Sequence, residues 1–324
     1  MAANSALLVA NALVVELAHA SEEALEARPP ADRNVQPALH GQREAYALDH
    51  PEQFFVVYRP PQAVSPPRLA VLVHGGFWKA EYSVENALTP AVAQALLRRG
   101  WYVVDVEYRR VGHEGGGWPR SNADVLSALS AIRARLGYIM GGDTLPARVA
   151  LFGHSAGGQL AIWAAHHAAT ARGGSESLAD LGLSDVAREA LVVDLVVAVA
   201  PVSDLVEAAR ARLSDEGDSV QRYLGGDPLQ DGVALLAAQR ASPVAACAPC
   251  LVPTLVACGQ ADTDVPPAIA LCYGREGDPL VAQMPIDGAD HYSVFDGQSS
   301  AFLQIVTRAE ACLARAAQPP RAPR

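Results

Sequence analysis

A serine-centred pentapeptide between a predicted strand and a predicted helix constrains the fold of this chain more than any other stretch. Residues 148–152 (RVALF) are apolar and alternate, which predicts a buried strand. Gly153-His154-Ser155-Ala156-Gly157 follows directly, and residues 159–168 predict an Ala-rich helix. A strand, a G-x-S-x-G turn and a helix in this order predict a nucleophile elbow. We expect Ser155 to have a strained backbone, and a Cβ at position 153 or 157 to crowd the neighbouring strand and helix.

The composition is that of a soluble protein with a sizeable core. Of the 324 residues, half are hydrophobic and 19% are charged. The net charge is −10 and Lys and Arg form no cluster, which argues against nucleic acid and membrane partners. Five cysteines are too few and too scattered for a disulfide framework. Cys247-Ala-Pro-Cys250 is a single C-x-x-C without a second pair, so we interpret it as packing and expect neither a metal nor a cofactor.

The N-terminal stretch has two interpretations. Residues 6–15 are apolar, and Ala18-His19-Ala20 resembles a signal-peptidase site. However, no basic residue precedes the apolar run and Glu16 follows it, unlike a secretory signal. We therefore predict a helix over residues 4–27 and a cytoplasmic protein, with secretion through residues 1–20 as the alternative. No stretch reaches the ~20 apolar residues that a membrane span requires.

Predicted strands and helices alternate from residue 68 onward. The predicted strands are 53–58, 68–73, 101–107, 148–152, 191–200, 251–258 and 280–286. The predicted helices are 84–98, 122–136, 159–168, 267–273 and 294–314. This alternation predicts an α/β fold with a mostly parallel sheet and helices on both faces.

The same pattern predicts the domain organisation. We expect an N-terminal helix and linker over residues 1–44, one domain over 45–317 and a disordered tail over 318–324. Residues 204–240 differ from their surroundings, because their short, charged, helix-like pieces are broken by glycine and proline. We predict that they form a short helical lid.

A serine nucleophile needs a base, and in a fold with this elbow the base follows the acid along the chain. The histidines after Ser155 are His166, His167 and His291. The first two lie on the helix after the elbow and lead away from the hydroxyl. His291 lies in a loop between the last predicted strand and helix, where parallel-sheet sites assemble, so we predict it to be the base.

Two aspartates compete for the role of the acid. Asp262 and Asp264 both follow the predicted strand 251–258. We choose Asp262 because it lies in the turn that leaves the strand, three residues past Gly259. Asp264 is the alternative, although it lies closer to the next helix and is placed to cap it.

An oxyanion hole is predicted from a second glycine-containing turn. His74-Gly75-Gly76-Phe77 follows the predicted strand 68–73, where such folds have a donor loop, and the amide after the nucleophile, that of Ala156, is the expected second donor. The two glycines permit the backbone to turn its N–H groups toward a developing negative charge.

Together these motifs resemble the α/β-hydrolase superfamily, in its esterase and arylformamidase (kynurenine formamidase-like) branch. The resemblance covers residues 45–312. Its motifs are HGGFW at 74–78, EYRR at 107–110, GHSAGGQL at 153–160, GQADTDVP at 259–266 and GADHY at 288–292. Phe77 replaces the third glycine of the HGGG loop in hormone-sensitive-lipase-type esterases, so the loop is more similar to the HGGYW-like loop of formamidases.

The resemblance implies an α/β-hydrolase fold and a set of site residues. The implied catalytic triad is Ser155, Asp262 and His291, and the implied oxyanion donors are the amides of Gly76, Phe77 and Ala156. Neither a metal nor an organic cofactor is implied. Three aromatic residues flank the implied site and are candidates to contact an aromatic substrate, with simple packing as the alternative: Trp78, Trp118 and Tyr292.

The predicted function is therefore that of a serine hydrolase. Its expected partner is a small carboxylic ester or an aryl formamide similar to N-formylkynurenine, cleaved through an acyl-enzyme. A general short-chain carboxylesterase and an acyltransferase are the alternatives within enzymes, and a non-catalytic binding protein is a third. The sequence leaves the natural substrate and the oligomeric state open, including a homodimer.

Overall fold

Eight strands form one sheet in the computed structural model, which describes residues 39, 41–173, 178–274 and 278–315. The strands are β1 (Gln42–Ala45), β2 (Phe54–Tyr58), β3 (Arg68–Val73), β4 (Tyr102–Val106), β5 (Arg148–His154), β6 (Leu195–Val199), β7 (Thr254–Gly259) and β8 (Val281–Ile286). Their order is β1-β2-β4-β3-β5-β6-β7-β8. β1 pairs antiparallel with β2, and β2 pairs antiparallel with β4, whereas all other pairs are parallel. This is the mostly parallel α/β sheet that the alternation predicted, in the α/β-hydrolase fold that the resemblance implied.

Eleven α-helices connect the strands within the described residues. They are α1 (Thr89–Arg98), α2 (Arg120–Ala134), α3 (Leu136–Met140), α4 (Ala156–Arg172), α5 (Ser184–Glu189), α6 (Leu205–Arg210), α7 (Ser219–Leu224), α8 (Gly232–Ala241), α9 (Pro243–Ala246), α10 (Pro267–Ala270) and α11 (Ser300–Arg315).

Helices cover both faces of the sheet. Side chains alternate across a strand, so neighbouring residues of β5 point to opposite faces. Gly153 packs directly beneath α4, whereas the ring of His154 stacks on Phe295, which in turn contacts Phe302 of α11. The central strands are accordingly apolar throughout, as is typical of strands covered on both sides.

Two helices begin later than their sequence pattern indicated. The helix expected from residue 84 begins at Thr89, and Pro90 lies in its first turn. Proline disfavours the helical conformation in the residue before it, which helps to fix this start. The helix expected from residue 294 begins at Ser300, after a separate 3₁₀ turn at Ser293–Phe295. There the hydroxyl of Ser299 accepts a hydrogen bond from the amide of Phe302 at 3.0 Å and caps the helix.

The predicted helix over residues 4–27 and the predicted tail over 318–324 lie outside the described residues. Among the residues that are described, none belongs to a helix long and apolar enough to cross a membrane.

Two adjacent histidines of helix α4 are buried at a distance from the serine turn. His166 and His167 are more than 90% buried, and the ring of His167 lies 4.3 Å from that of Trp163. Neither ring nitrogen of His167, nor Nδ1 of His166, has a hydrogen-bond partner within the described part of the chain. Burial lowers the pKa of His166 to about 4. Burial, together with the nearby His166 and Arg240, lowers the pKa of His167 to about 3.

We expect these two rings to make the protein sensitive to acid. Their folded-state pKa values lie below the ordinary value of 6.5, so the unfolded chain takes up their protons first as the pH falls. The free energy of unfolding should drop between pH 6.5 and 4, by roughly 2–3 kcal/mol for each ring. In the double variant His166→Leu/His167→Phe, urea unfolding at pH 7 and pH 5 should show a smaller loss than in the wild type. If the free energy of unfolding fell equally in both proteins between pH 7 and pH 5, the two rings would not be buried in their neutral form.

Candidate active site

The backbone of Ser155 is strained, as the G-x-S-x-G pattern predicted. Its φ is 54° and its ψ is −121°, between the end of β5 and the first residue of α4. The flanking positions must be glycine because any side chain there would overlap with neighbouring backbone. A Cβ at Gly157 would lie 2.2 Å from the carbonyl oxygen of Val73. A Cβ at Gly153 would lie 2.3 Å from the carbonyl oxygen of Gly157. The strand, the turn and the helix therefore pack backbone against backbone, and this packing maintains the strain at Ser155.

Asp262, rather than Asp264, contacts His291. The loop after β7 carries Asp262 and the loop after β8 carries His291, and His291 Nδ1 lies 2.8 Å from Asp262 Oδ2. The other carboxylate oxygen, Oδ1, accepts hydrogen bonds from the amides of Asp264 and Val265 at 3.0 and 2.9 Å. Both partners are about 95% buried. The carboxylate is thus held on one side by backbone donors and presents its other oxygen to the imidazole.

Ser155 and His291 line the same small cavity at the carboxyl edge of the sheet. Its volume is about 140 Å³, and it is lined by Gly75, Gly76, Phe77, Tyr82, Asn86, Ala87, Leu88, Thr89, His154, Ser155, His291, Tyr292 and Phe295. The Ser155 hydroxyl makes no hydrogen bond to any described residue. Catalytic hydrogen bonds are often formed only once a substrate is bound, so this open arrangement is compatible with a nucleophile.

The turn after β3 has three successive residues with positive φ. The φ values are 105° for Gly76, 51° for Phe77 and 55° for Trp78. The turn is closed by a hydrogen bond of 2.9 Å from the amide of Lys79 to the carbonyl oxygen of Gly76. Within the described residues, the amides of Gly76, Phe77 and Ala156 donate no hydrogen bond to another protein atom. Three unpaired donors therefore lie on the two turns that flank Ser155.

A buried cluster of ionisable side chains supports this turn from beneath. His74 Nε2 lies 2.9 Å from Glu107 Oε1, and Arg110 Nη1 lies 2.8 Å from the same oxygen. His74 and Glu107 are fully buried and Arg110 is 1% exposed. Burial by itself would raise the pKa of Glu107, but the adjacent His74 and Arg110 outweigh it and hold the pKa below its usual value. In the sequence, EYRR at 107–110 could be identified only as one motif of the resemblance, because the charge of a residue does not indicate whether its side chain is buried.

The same cluster anchors one wall of the cavity through the backbone. Glu107 Oε2 accepts a hydrogen bond from the amide of Val84 at 3.0 Å, and Arg110 donates to the carbonyl oxygen of Tyr82. The segment between β3 and α1 is therefore attached by main-chain groups, while the side chains of Tyr82 and Leu88 line the cavity.

The three aromatic candidates for substrate contact lie in different environments. Trp78 is fully buried, stacks on Tyr223 at 4.3 Å and donates from Nε1 to Gln159 Oε1 at 3.0 Å. Trp118 packs edge-on against Trp163 at 5.7 Å. Neither tryptophan is among the residues that line the cavity, and both rings have packing partners, as in the alternative that they only pack. Tyr292 does line the cavity and is 58% exposed.

The predicted lid, residues 204–240, contains α6, α7 and most of α8. Tyr223 of α7 packs on Trp78, and Glu216 forms an ion pair with Lys79, so the segment lies against the turn after β3. None of its residues lines the cavity as described.

Other titratable groups form no second centre in the described residues. No group of three or more His, Cys, Asp and Glu side chains among them is arranged to hold a metal ion. Cys247 and Cys250 are buried free thiols, and burial raises the pKa of both, that of Cys250 to about 12. These thiols are therefore protonated near neutral pH, which suits packing rather than reactivity.

Several solved structures that this chain resembles are esterases. Esterase B from Lactobacillus rhamnosis is 20% identical, with 98% of this chain and 97% of that chain covered and a TM-score of 0.67. A truncated carbohydrate esterase from gut microbiota is 18% identical, with coverages of 83% and 95% and a TM-score of 0.64. The esterase Est2 from the Planctomycetes species Thermogutta terrifontis is 19% identical, with coverages of 87% and 95% and a TM-score of 0.57. At these identities the likeness establishes the fold.

The sequence comparisons establish the family. A search of curated proteins found no match. The BD-FAE family model, in contrast, matches residues 56–271, which is more than half of the chain and runs from within β2 to just past α10. The chain therefore belongs to the BD-FAE family of α/β-hydrolase-like esterases.

Proposed function

We propose that this protein hydrolyses small carboxylic esters with Ser155 as nucleophile, His291 as general base and Asp262 as the acid that orients the base. The observation that carries the proposal is the shared cavity: a strained serine at a helix N-terminus lines it together with a histidine whose far nitrogen contacts a buried carboxylate at 2.8 Å. A nucleophile, a base and an orienting acid in this relation are the requirements of acyl transfer.

In the proposed acylation step, Ser155 Oγ attacks the ester carbonyl carbon and its proton moves to His291 Nε2. Asp262 accepts a hydrogen bond from Nδ1, which fixes the tautomer and stabilises the imidazolium that forms. The amides of Gly76, Phe77 and Ala156 are the proposed donors to the oxyanion. The positive N-terminal end of α4 adds to this stabilisation. His291 then gives its proton to the departing alcohol.

In the proposed deacylation step, water takes the place of the alcohol. His291 removes a proton from the water, the resulting oxygen attacks the acyl carbon, and the same amides hold the second oxyanion. Return of the proton to Ser155 Oγ releases the acid. An alcohol acceptor in place of water would make the protein an acyltransferase, which is the alternative on the same machinery.

We further propose that residues 204–240 cover the site as a lid. Contacts of Tyr223 with Trp78 and of Glu216 with Lys79 support this role, because Trp78 belongs to the turn after β3 and Lys79 closes it.

Aryl formamides are a second candidate substrate class. They are favoured by the small volume of the cavity, about 140 Å³, and by four aromatic side chains that line it: Phe77, Tyr82, Tyr292 and Phe295. A formyl group needs little space, and aromatic rings provide apolar area for an aromatic leaving group.

The first prediction concerns the nucleophile. Ser155→Ala should lower ester turnover by about 10⁴-fold or more, because the members of a triad act as a unit. A fluorophosphonate probe should label the wild type at Ser155 and leave the variant unlabelled, with unfolding temperatures alike. Ser127→Ala, which changes a half-buried serine on α2, serves as the control and should keep full turnover. Labelling at another serine would refute the assignment.

The second prediction separates the two aspartates. Asp262→Asn should reduce kcat by about 10⁴-fold, because an amide at that position favours the wrong tautomer of the base. Asp264→Asn should have a small effect, since only the Asp264 amide contacts Asp262. Steady-state kinetics of both variants on one nitrophenyl ester gives the comparison. Equal losses, or a larger loss for Asp264→Asn, would show that the acid is misassigned.

The third prediction concerns the acyl group. A cavity of about 140 Å³ is smaller than the roughly 300–1,000 Å³ of typical ligand pockets, so formyl to butyryl groups should be favoured. Activity on nitrophenyl esters should fall steeply beyond about eight carbons. Phe77→Gly removes a ring from the lining, tolerates the φ of 51° and keeps the backbone amide, so it should shift the optimum to longer chains.

N-formylkynurenine, assayed beside the short nitrophenyl esters, decides between the two substrate classes. If formamide cleavage has a kcat/KM comparable with that of the esters, the aryl formamide class is supported. Turnover of acetyl and butyryl esters without any formamide cleavage leaves a plain carboxylesterase.

A further inference from the structure

We propose that His154, the residue before the nucleophile, is a positioning residue that holds the base loop in register with the elbow. The inference rests on the proposed function and extends it. His154 ends β5, lines the cavity and is 94% buried, yet the triad does not include it.

The first support is a hydrogen bond from the elbow to the base. His154 Nε2 lies 2.9 Å from the main-chain carbonyl oxygen of His291. A carbonyl oxygen only accepts, so Nε2 carries the proton and donates it. His291 is therefore held at two points: Asp262 holds its ring through Nδ1, and His154 holds its backbone.

The second support is the packing that fixes the ring of His154. It stacks on Phe295 with centroids 4.9 Å apart and an interplanar angle of 6°. The first glycine of the oxyanion turn also passes so closely that a Cβ at Gly75 would lie 3.1 Å from His154 Nδ1. One side chain at the elbow thus lies against both the base loop and the oxyanion turn.

The third support is electrostatic. The rings of His154 and His291 lie 4.6 Å apart. Burial, and then the nearby His291, lower the pKa of His154 well below its ordinary value, so its ring is neutral at working pH. A neutral donor can hold the base without opposing the positive charge that His291 acquires during catalysis, whereas a cation at this distance would oppose it.

The test compares a variant that keeps the donor with variants that lose it. The amide nitrogen of glutamine reaches about as far as Nε2 of histidine, so His154→Gln retains the hydrogen bond. His154→Phe keeps the ring stack and His154→Met keeps the bulk, but neither can donate. His166→Phe and His166→Gln repeat the substitutions at a buried histidine outside the cavity and should leave turnover unchanged.

The measurements are kcat and KM per active site, with sites counted by fluorophosphonate titration, and the rate constant of Ser155 labelling. For His154→Phe and His154→Met we expect kcat and the labelling rate to fall by about 10- to 100-fold, because a small misplacement of a base is costly, with KM nearly unchanged. His154→Gln should recover most of both rates. Counting only titrated sites removes any effect of lost folded protein.

A purely structural role for His154 would lower the unfolding temperature and leave kcat per titrated site intact, which would overturn the proposal. A loss in His154→Gln as large as in His154→Met would also overturn it, because the donor would then be irrelevant; this comparison stands even if His154→Phe does not fold. If the wild type is not labelled at Ser155, it is the proposed function that fails instead.

Discussion

The close approach of two backbones, at Gly157, is the constraint on which the edge of the sheet that carries the proposed active site depends. The α-carbon of this glycine lies so near the carbonyl oxygens of Val73 and His74 that no side chain fits between them. The start of α4 is thereby pressed against the end of β3, and Ser155 is forced into a conformation that costs on the order of 1–3 kcal/mol. Dispersion and ladder hydrogen bonds across the parallel strands offset that strain. The turn that carries the proposed oxyanion donors starts at the same contact.

Much of this arrangement could be predicted from the sequence, because it follows from periodicity and chain order. The central strands are continuous apolar runs, and the order of Ser155, Asp262 and His291 left few candidates for each role. The features that were missed depend on partners far away in the chain. Trp78 is buried because it stacks on Tyr223 and donates a hydrogen bond to Gln159. No local pattern around the HGGFW motif indicates either contact. The edge strand β1 was missed because it is short and exposed.

The charged cluster beneath the oxyanion turn was also beyond prediction. Removing Glu107 and Arg110 from water costs several kcal/mol for each ion, and only close hydrogen-bonded partners make it tolerable. Those partners, His74 and the amide of Val84, come from other segments of the chain. The sequence shows that such residues are charged. Whether they are exposed on the surface or buried beneath the turn depends on the tertiary fold.

The main-chain anchoring of the cavity wall has a consequence for how members of such a family diverge. Because the segment around Tyr82 and Val84 is held by its carbonyl and amide groups, substitutions in it change the lining without releasing the loop. The wall can accumulate mutations that suit new substrates while the supporting ions stay fixed. A change in substrate range can therefore come from the side chains of this segment alone, without any change in the main-chain atoms that hold it beside the proposed site.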